Sequence, residues 1–399
     1  MKKVFVTGMG IITALGKGID ANLNALKYGR SGIGPIENLN TLYKDEYLAA
    51  EIKLSNTELS AFTPNLKDLN KTTRGQLLSI IAAEEALEMA GLNTDEIREL
   101  PLIAGNTVAS MDETEKNYRD YKTAEPYYFN EAHSGGETTR KTAEYFGIEA
   151  MNTTINTACS SSANAIIFGM RLIQSGRAKR VLVGGSDPFT KFSLNGFLSL
   201  KIYDPGMCRP FDAEREGLNL GEGAAFLVLE SEEVAAGKTK YAELLGYANR
   251  NDAFHASASS PDGEGAYLTM KQAIGMSGLK PGQIDFVHTH GTATPNNDES
   301  ELTAMRRIFG TQLPAFASSK SYTGHTLGGA GSVNAIFSIL TMQHSFLFPN
   351  LNFKTPMEPG ISPVSELREN VNINYVISNA FGFGGNNSSL VFGKGGRDD

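Results

Sequence analysis

Short apolar, β-branched runs alternate with helical patterns along this whole chain, and that alternation limits the fold more than any single residue does. The runs fall at residues 4–6, 102–104, 181–183, 226–229, 286–287, 315–317 and 376–378. Helical periodicity fills the spans 77–89, 163–174 and 331–342. Alternation of this kind predicts an α/β fold with parallel strands and helices on both faces. The chain has 399 residues, room for about two to three domain-sized units. The polar stretch 231–240 reads as helical, contains Gly237, follows a strand and precedes a new αβ run. A boundary at Lys240 divides the chain into units 1–240 and 241–399. Residues 118–133 carry many aromatics and charges and Pro126; they break the rhythm and read as an insertion, a cap or a partner contact.

The formal net charge of -8 argues against general binding to nucleic acid or to a membrane surface. Two cysteines, Cys159 and Cys208, form no CxxC pair and suggest neither a disulfide framework nor a zinc site. Free thiols fit a reducing cytoplasm. Behind Met1-Lys2-Lys3, the apolar stretch is broken by Gly8, Gly10 and Gly16, so it reads as a strand entering a glycine turn rather than a signal peptide. No uninterrupted apolar run reaches the about 18 residues of a membrane span.

The segment Thr154-Ile155-Asn156-Thr157-Ala158-Cys159-Ser160-Ser161-Ser162 precedes an apolar helix. A strand, a sharp turn and a helix start rich in small residues would put Cys159 at a helix N-terminus, where unpaired amides favour a thiolate and can donate to an oxyanion. Two readings of Cys159 stay open on this setting: an activated nucleophile, or a buried thiol acting as a small hydrophobe. For Cys208 the second is preferred.

Two of the six histidines stand on strand-to-helix loops. His290 lies in His288-Thr289-His290-Gly291-Thr292, and His325 in Lys320-Ser321-Tyr322-Thr323-Gly324-His325. In open α/β sheets that edge is where ligands bind. Two neutral imidazoles can donate to one thioester carbonyl and stabilise an enolate, as a decarboxylative condensation requires. A weaker alternative is a metal pair of His288 and His290 on one strand face, but the carboxylate context is missing and no metal is expected. His133, His255, His288 and His344 read as structural. Near the end, Ser378-Asn379-Ala380-Phe381-Gly382-Phe383-Gly384-Gly385-Asn386-Asn387 joins two strands. It is either a plain β-hairpin or a loop whose phenylalanines swing over an apolar tunnel. No helix follows the glycines, so it is no dinucleotide fingerprint.

Together and in this order, VFVTGMGIITALG, NTACSSS, CRPFDAEREGLNLGEGAAFLVLE, HTHGTATPNND, KSYTGHTLGGAG and SNAFGFGGNN span essentially the entire chain. The chain resembles the β-ketoacyl-acyl-carrier-protein synthases, condensing enzymes of the thiolase superfamily, and most of all their elongation type, the second type. That resemblance implies a thiolase-like fold: two pseudo-duplicated βαβ halves forming a five-layer αβαβα sandwich, in a homodimer. It implies Cys159 as acyl-accepting nucleophile, His290 and His325 as the decarboxylation pair, and Lys320 as organiser of the second histidine. Phe383 matches the gating residue whose amide joins that of Cys159 in an oxyanion hole, with Phe381 in the same loop. Val108 falls where a residue lines the acyl pocket across the dimer interface, and Asp298 at a structural helix-cap position. The implied partner is acyl-carrier protein in its acyl and malonyl forms. A basic rim of Lys67, Lys71, Arg74 and Arg209 would receive it, and no cofactor is implied.

Departures and rivals follow from particular residues. Asn334 stands where the family usually has a glutamate, and three serines follow the nucleophile. A degradative thiolase would need a second catalytic cysteine, and residues 382–387 hold none. A non-catalytic chain-length partner would lack the nucleophile, which is present. A ketosynthase of a specialised polyene or polyketide-like lipid pathway stays open beside fatty acid biosynthesis.

Overall fold

The computed structural model describes residues 2–117 and 133–395, so all but His133 of the expected insertion lies outside the described residues. Ten strands carry the fold. They are β1 (Val4–Thr13), β2 (Leu102–Gly105), β3 (Asn152–Ile155), β4 (Arg180–Asp187) and β5 (Gly223–Ser231), then β6 (Ala242–Asn251), β7 (Phe286–His288), β8 (Ala315–Ala317), β9 (Tyr375–Gly382) and β10 (Asn386–Lys394). In space the first five run β1-β5-β4-β2-β3 and the second five run β6-β10-β9-β7-β8. The second order repeats the first with each strand replaced by its counterpart, so the chain is a structural duplication. Each half pairs three strands in parallel, β3-β2-β4 and β8-β7-β9. The remaining strands are antiparallel. The halves touch along β1 and β6 through two residue pairs, Phe5 with Glu243 and Val6 with Ala242.

The mixed sheet corrects the all-parallel expectation. The connection between β9 and β10 is only Phe383–Gly385, and a parallel return needs a crossover of about a dozen residues. Strand β6 escaped the sequence reading because AELLGYANRN offers no apolar run; its residues alternate between buried and half-buried instead. The stretch 232–240 forms turns, not a helix, and Gly237 sits in the left-handed region at φ 73.

Four helices complete the layers. Helix α1 (Arg74–Met89) covers β1 and β5 on one outer face, and α3 (Glu264–Ser277) covers β6 and β10 on the other. Between the sheets lie α2 (Ser161–Gln174) and α4 (Ala330–His344), which touch each other and both sheets. Helix α4 is buried at every position from Ala330 to Met342. A helix without a polar face has no stable place at a surface. Among the described residues no helix is long and apolar enough to cross a membrane.

The expected glycine turn after residues 4–6 is absent, because β1 continues through Gly8 and Gly10 to Thr13 with only a register shift between Val6 and Gly8. Those glycines serve packing instead. A Cβ on Gly8 would lie 2.2 Å from the carbonyl oxygen of Ala86, and one on Gly10 would lie 2.0 Å from that of Ala82. Missing side chains let α1 settle directly onto the strand. Gly10→Ala should therefore lower stability by about 1–3 kcal/mol through overpacking. Gly275→Ala, on the exposed face of α3 with open space around it, should raise it by about 0.5–1 kcal/mol. Thermal unfolding of the two variants checks both signs.

Candidate active site

Three loops at the ends of parallel strands converge. The first leaves β3, turns sharply at Ala158 and enters α2, with Cys159 just before the helix. Ala158 adopts φ 53, a conformation uncommon for a residue with a Cβ. The serines behind it hold the turn. Ser161 Oγ accepts from the Thr157 amide at 2.9 Å and donates to the Ala158 carbonyl at 2.6 Å, while Ser160 Oγ lies 2.8 Å from Thr157 O. Ser162 Oγ accepts from the Ser332 amide at 2.9 Å, tying α2 to α4. These contacts account for the polar helix start.

The second loop leaves β7 with His290. Its amide and that of Gly291 donate to the two oxygens of Glu301, at 2.9 and 2.8 Å. Glu301 lies on the helix Pro295–Phe309 and also accepts from the Asn379 side chain at 2.9 Å. The third loop follows β8, makes one helical turn, Lys320–Thr323, and reaches His325 through Gly324. The two imidazoles meet edge to face with centroids 5.3 Å apart. Cys159 Sγ and one ring nitrogen from each histidine all lie within 4.8 Å of one another.

Both histidines have their tautomer set by what faces Nδ1. His325 Nδ1 accepts from the Leu327 amide at 3.3 Å. His290 Nδ1 faces the Lys320 ammonium at 3.4 Å. An ammonium and an amide are donors only, so each Nδ1 is an acceptor and each proton sits on Nε2. Burial, reinforced by the Lys320 charge, holds both imidazoles well below the ordinary histidine range. They are neutral donors at physiological pH. Burial also lowers Lys320 to about 8, opposed by the Glu301 carboxylate, and raises Glu301 to about 7 against the Gly291 amide.

Cys159 departs from the sequence expectation of a thiolate. It is only 4% exposed, and that burial pushes the thiol up to about 11 despite Lys320 and the Phe383 amide, which favour the anion. Desolvation outweighs the helix end here. The backbone amides of Phe383 and of Cys159 itself are placed to favour an anion at the sulfur, and they are the two donors expected of an oxyanion hole. A cavity of about 360 Å³ opens over these groups. Phe197, Ile202, Leu218, Phe381 and Phe383 form its apolar wall, and the exposed Lys201 and Glu216 also line it. The Phe381 ring lies 5.8 Å from that of His290.

Other sequence candidates fall elsewhere. Lys320 contacts His290, through Nδ1 and the backbone carbonyl, and not the second histidine as expected. The proposed metal pair is split: His288 turns inward between Ser338 and Ser319 at 3.1 Å each, with burial lowering it to about 3. The compact trio of Cys159, His290 and His325 is the group spaced for a metal ion, but the adjacent Lys320 cation opposes a dication there. Val108 packs in an apolar cluster with Leu218 next to this cavity. Arg74 is not a surface docking residue. Its side chain is 11% exposed, locked on Glu222 at 2.6 Å and on the carbonyls of Ile52 and Leu54. Lys67 and Lys71 are exposed around a separate surface pocket with Lys141 and Tyr145. Arg209 is half-buried beside Glu214 at 3.6 Å. Asp298 does cap the loop before its helix, accepting from the Ala293 and Phe211 amides at 3.2 and 2.8 Å.

Two carboxylates of the site escaped the sequence reading. Glu301 carried a weak signal, an acid one turn beyond Asp298. Asp187 carried none; it accepts the amides of Thr107, Val108, Ala109 and, at 2.7 Å, Gly328. Asn334 is explained by what it donates. Its Nδ2 lies 3.4 Å from Thr289 O and 3.2 Å from Asn379 O, and its Oδ1 accepts from Ser319 at 3.2 Å. A carboxylate has no proton for those carbonyls.

Comparison with known proteins gives one consistent result. Residues 1–235 match the family described as "Beta-ketoacyl synthase, N-terminal domain", and residues 241–354 match "Beta-ketoacyl synthase, C-terminal domain". The chain is 32% identical to 3-oxoacyl-[acyl-carrier-protein] synthase 1 of Haemophilus influenzae, over 98% of this chain and 99% of that one. It is 32% identical to 3-oxoacyl-[acyl-carrier-protein] synthase 2 of Staphylococcus aureus, over 98% of each. Among solved structures, "The ishigamide ketosynthase/chain length factor" superposes with a TM-score of 0.93 at 29% identity, covering 99% of this chain and 100% of that one. The duplicated, five-layered architecture is thus the thiolase-like ketosynthase fold, and the chain belongs to the beta-ketoacyl synthase family of condensing acyltransferases.

Proposed function

We propose that this chain joins an acyl group held on Cys159 to the carbon nucleophile released from malonyl-acyl-carrier protein, giving 3-oxoacyl-acyl-carrier protein. The observation that carries the residue roles is the pair of neutral Nε2–H donors clustered beside the Cys159 sulfur, with the Cys159 and Phe383 amides placed to favour an anion there. Two oxyanion sites at one cavity fit two oxyanions formed in turn. First, the Cys159 sulfur attacks the acyl thioester, the tetrahedral oxygen takes the Cys159 and Phe383 amides, and the thiol proton passes to the departing carrier thiolate. Second, malonyl-carrier protein loses carbon dioxide, and the electron pair of the broken bond becomes an enolate whose oxygen accepts from His290 and His325. The enolate carbon attacks the acyl carbon, the carbon–sulfur bond breaks, and Cys159 regains a proton. Lys320 holds His290 in its donating tautomer. A thiolase reading is disfavoured because the other cysteine, Cys208, is fully buried and lies outside the cavity.

The curated relatives, named as 3-oxoacyl-[acyl-carrier-protein] synthases, support fatty acid elongation, and a homodimer of a soluble, cytoplasmic chain divided near Lys240 completes that reading. The likeness to a ketosynthase/chain length factor favours a second reading: a ketosynthase of a specialised lipid pathway working beside a similar chain.

Incubation with acyl-carrier protein should add the acyl mass to the wild type and nothing to Cys159→Ala. An adduct that survives that substitution would remove Cys159 from its role. Because the thiol sits at about 11, its alkylation by iodoacetamide should keep rising across pH 7–9.5, about tenfold per unit. Lys320→Met removes a charge that lowers the thiol, so alkylation should be slower at each pH; a plateau below pH 9 in the wild type would contradict the burial account. Lys67→Glu with Lys71→Glu should raise the Michaelis constant for carrier-bound substrate at low salt. Arg74→Met should instead lower stability by about 3–5 kcal/mol, because it strands the buried Glu222.

A further inference from the structure

We infer that Asn386 is a positioning residue that holds the Phe383 amide over the nucleophile. This rests on the proposed acyl transfer to Cys159, and it concerns how two separate loops are kept in register. The amide donors of the first oxyanion site come from different places: Cys159 from the turn before α2, Phe383 from the connection between β9 and β10. That connection is weakly braced by its own sequence. Gly384 and Gly385 take φ 78 and 77, and no Cβ restricts them. Its other ties run sideways. Gly384 N donates to Ala256 O at 2.7 Å, Asn251 Nδ2 donates to Gly384 O at 2.8 Å, and the Phe383 ring stacks on Phe197 at 5.7 Å. None of these three reaches the nucleophile turn.

Asn386, the first residue of β10, does reach it. Three donors converge on its Oδ1: Ser160 Oγ at 2.8 Å, Asn164 Nδ2 at 2.9 Å and Asn249 Nδ2 at 2.6 Å. Ser160 and Asn164 belong to the nucleophile segment, and the Asn164 amide group also donates to Thr157 Oγ1 at 2.8 Å. Asn249 belongs to β6 and places the same oxygen relative to the sheet. Asn164 returns a second tie, since its Oδ1 accepts from Ser388 at 2.9 Å. One side-chain oxygen, three residues from the gate amide, therefore links the two walls of the oxyanion hole. The histidine pair is built on other loops, and among the described residues no hydrogen bond joins either imidazole to Asn386.

That separation gives a test that a general loss of stability cannot mimic. Asn386→Leu removes the acceptor, and misplacing one donor by about 1 Å can cost about a hundredfold in rate. Transfer of an acyl group from acyl-carrier protein to Cys159, followed by intact mass, should slow by about ten- to a hundredfold. Decarboxylation of malonyl-carrier protein by the same variant, which uses His290 and His325, should stay within about twofold of wild type. Asn386→Asp keeps the accepting oxygen and should recover most of the acyl transfer. Equal losses in both half-reactions, or acyl transfer at the wild-type rate in Asn386→Leu, would overturn the inference. Failure of the wild type itself to acquire an acyl group would overturn the underlying reading instead.

Discussion

Everything at this site depends on how closely the two central helices approach at their N-terminal ends. A Cβ on Gly331 would lie 2.6 Å from the amide nitrogen of Ala163, so α4 rests against the backbone of α2 with nothing between. Gly105 does the same beneath the nucleophile turn, where a Cβ would meet Ser162 N at 2.4 Å. Cys159 stands two residues before one helix, and His325 leads into the other through the turn Leu327–Gly329. Backbone contact between the helices therefore sets the distance between sulfur and imidazole. A larger residue at 331 would push the helices apart, and the three reacting groups would lose their common reach. Close packing of this kind transmits strain instead of absorbing it.

The same burial that fixes the geometry decides the protonation states. Removing water disfavours every charge in the pocket, which raises the thiol and lowers both histidines. One cation, Lys320, is retained, and its charge acts in the same direction on all three partners: it favours the thiolate and disfavours imidazolium. Glu301 balances it nearby. The outcome is a Cys159 thiol that stays protonated and two neutral histidines with an N–H free to donate. Asn334 extends this logic outward. A carboxylate in its place would face the carbonyls of Thr289 and Asn379; the amide donates to both and adds no second negative charge beside Lys320.

Much of this was legible from spacing. Cys159, His290 and His325 each stand on a strand-to-helix loop, and α/β topology brings such loops to one edge. The family pattern then supplied Phe383 and Lys320. What stayed hidden has physical causes. Lys320 contacts His290 across a gap of 30 residues, and the partner of a long side chain is set by tertiary packing. Arg74 looked like a surface cation because its pairing with Glu222 spans 148 positions. Gly8 and Gly10 looked like turn residues because a sequence does not show which helix will lie on a strand. Strand β6 was invisible because one of its faces is only half-buried. Asp187 gave no signal because its work is done through backbone amides, which every residue type carries.

The duplication gives these placements a common origin. Cys159 follows β3 and precedes α2; His325 follows β8 and precedes α4, the matching strand and the matching central helix of the other half. Cys159 and His325 thus occupy the same station in two copies of one unit. The neighbouring stations correspond as well. The loop after β2 gives the amides of residues 107–109 to the buried Asp187, and the loop after β7 gives those of residues 290–291 to the buried Glu301. Each half anchors a strand-end loop on a carboxylate and leaves the next loop free to present a side chain. Stacking the halves face to face brings both presented side chains into one cavity. Asp187 also binds Gly328, beyond His325, so one anchor of the first half steadies the catalytic loop of the second. A site assembled across a duplication in this way cannot be halved: neither unit alone holds both the sulfur and the imidazoles, and the chemistry exists only where the two meet.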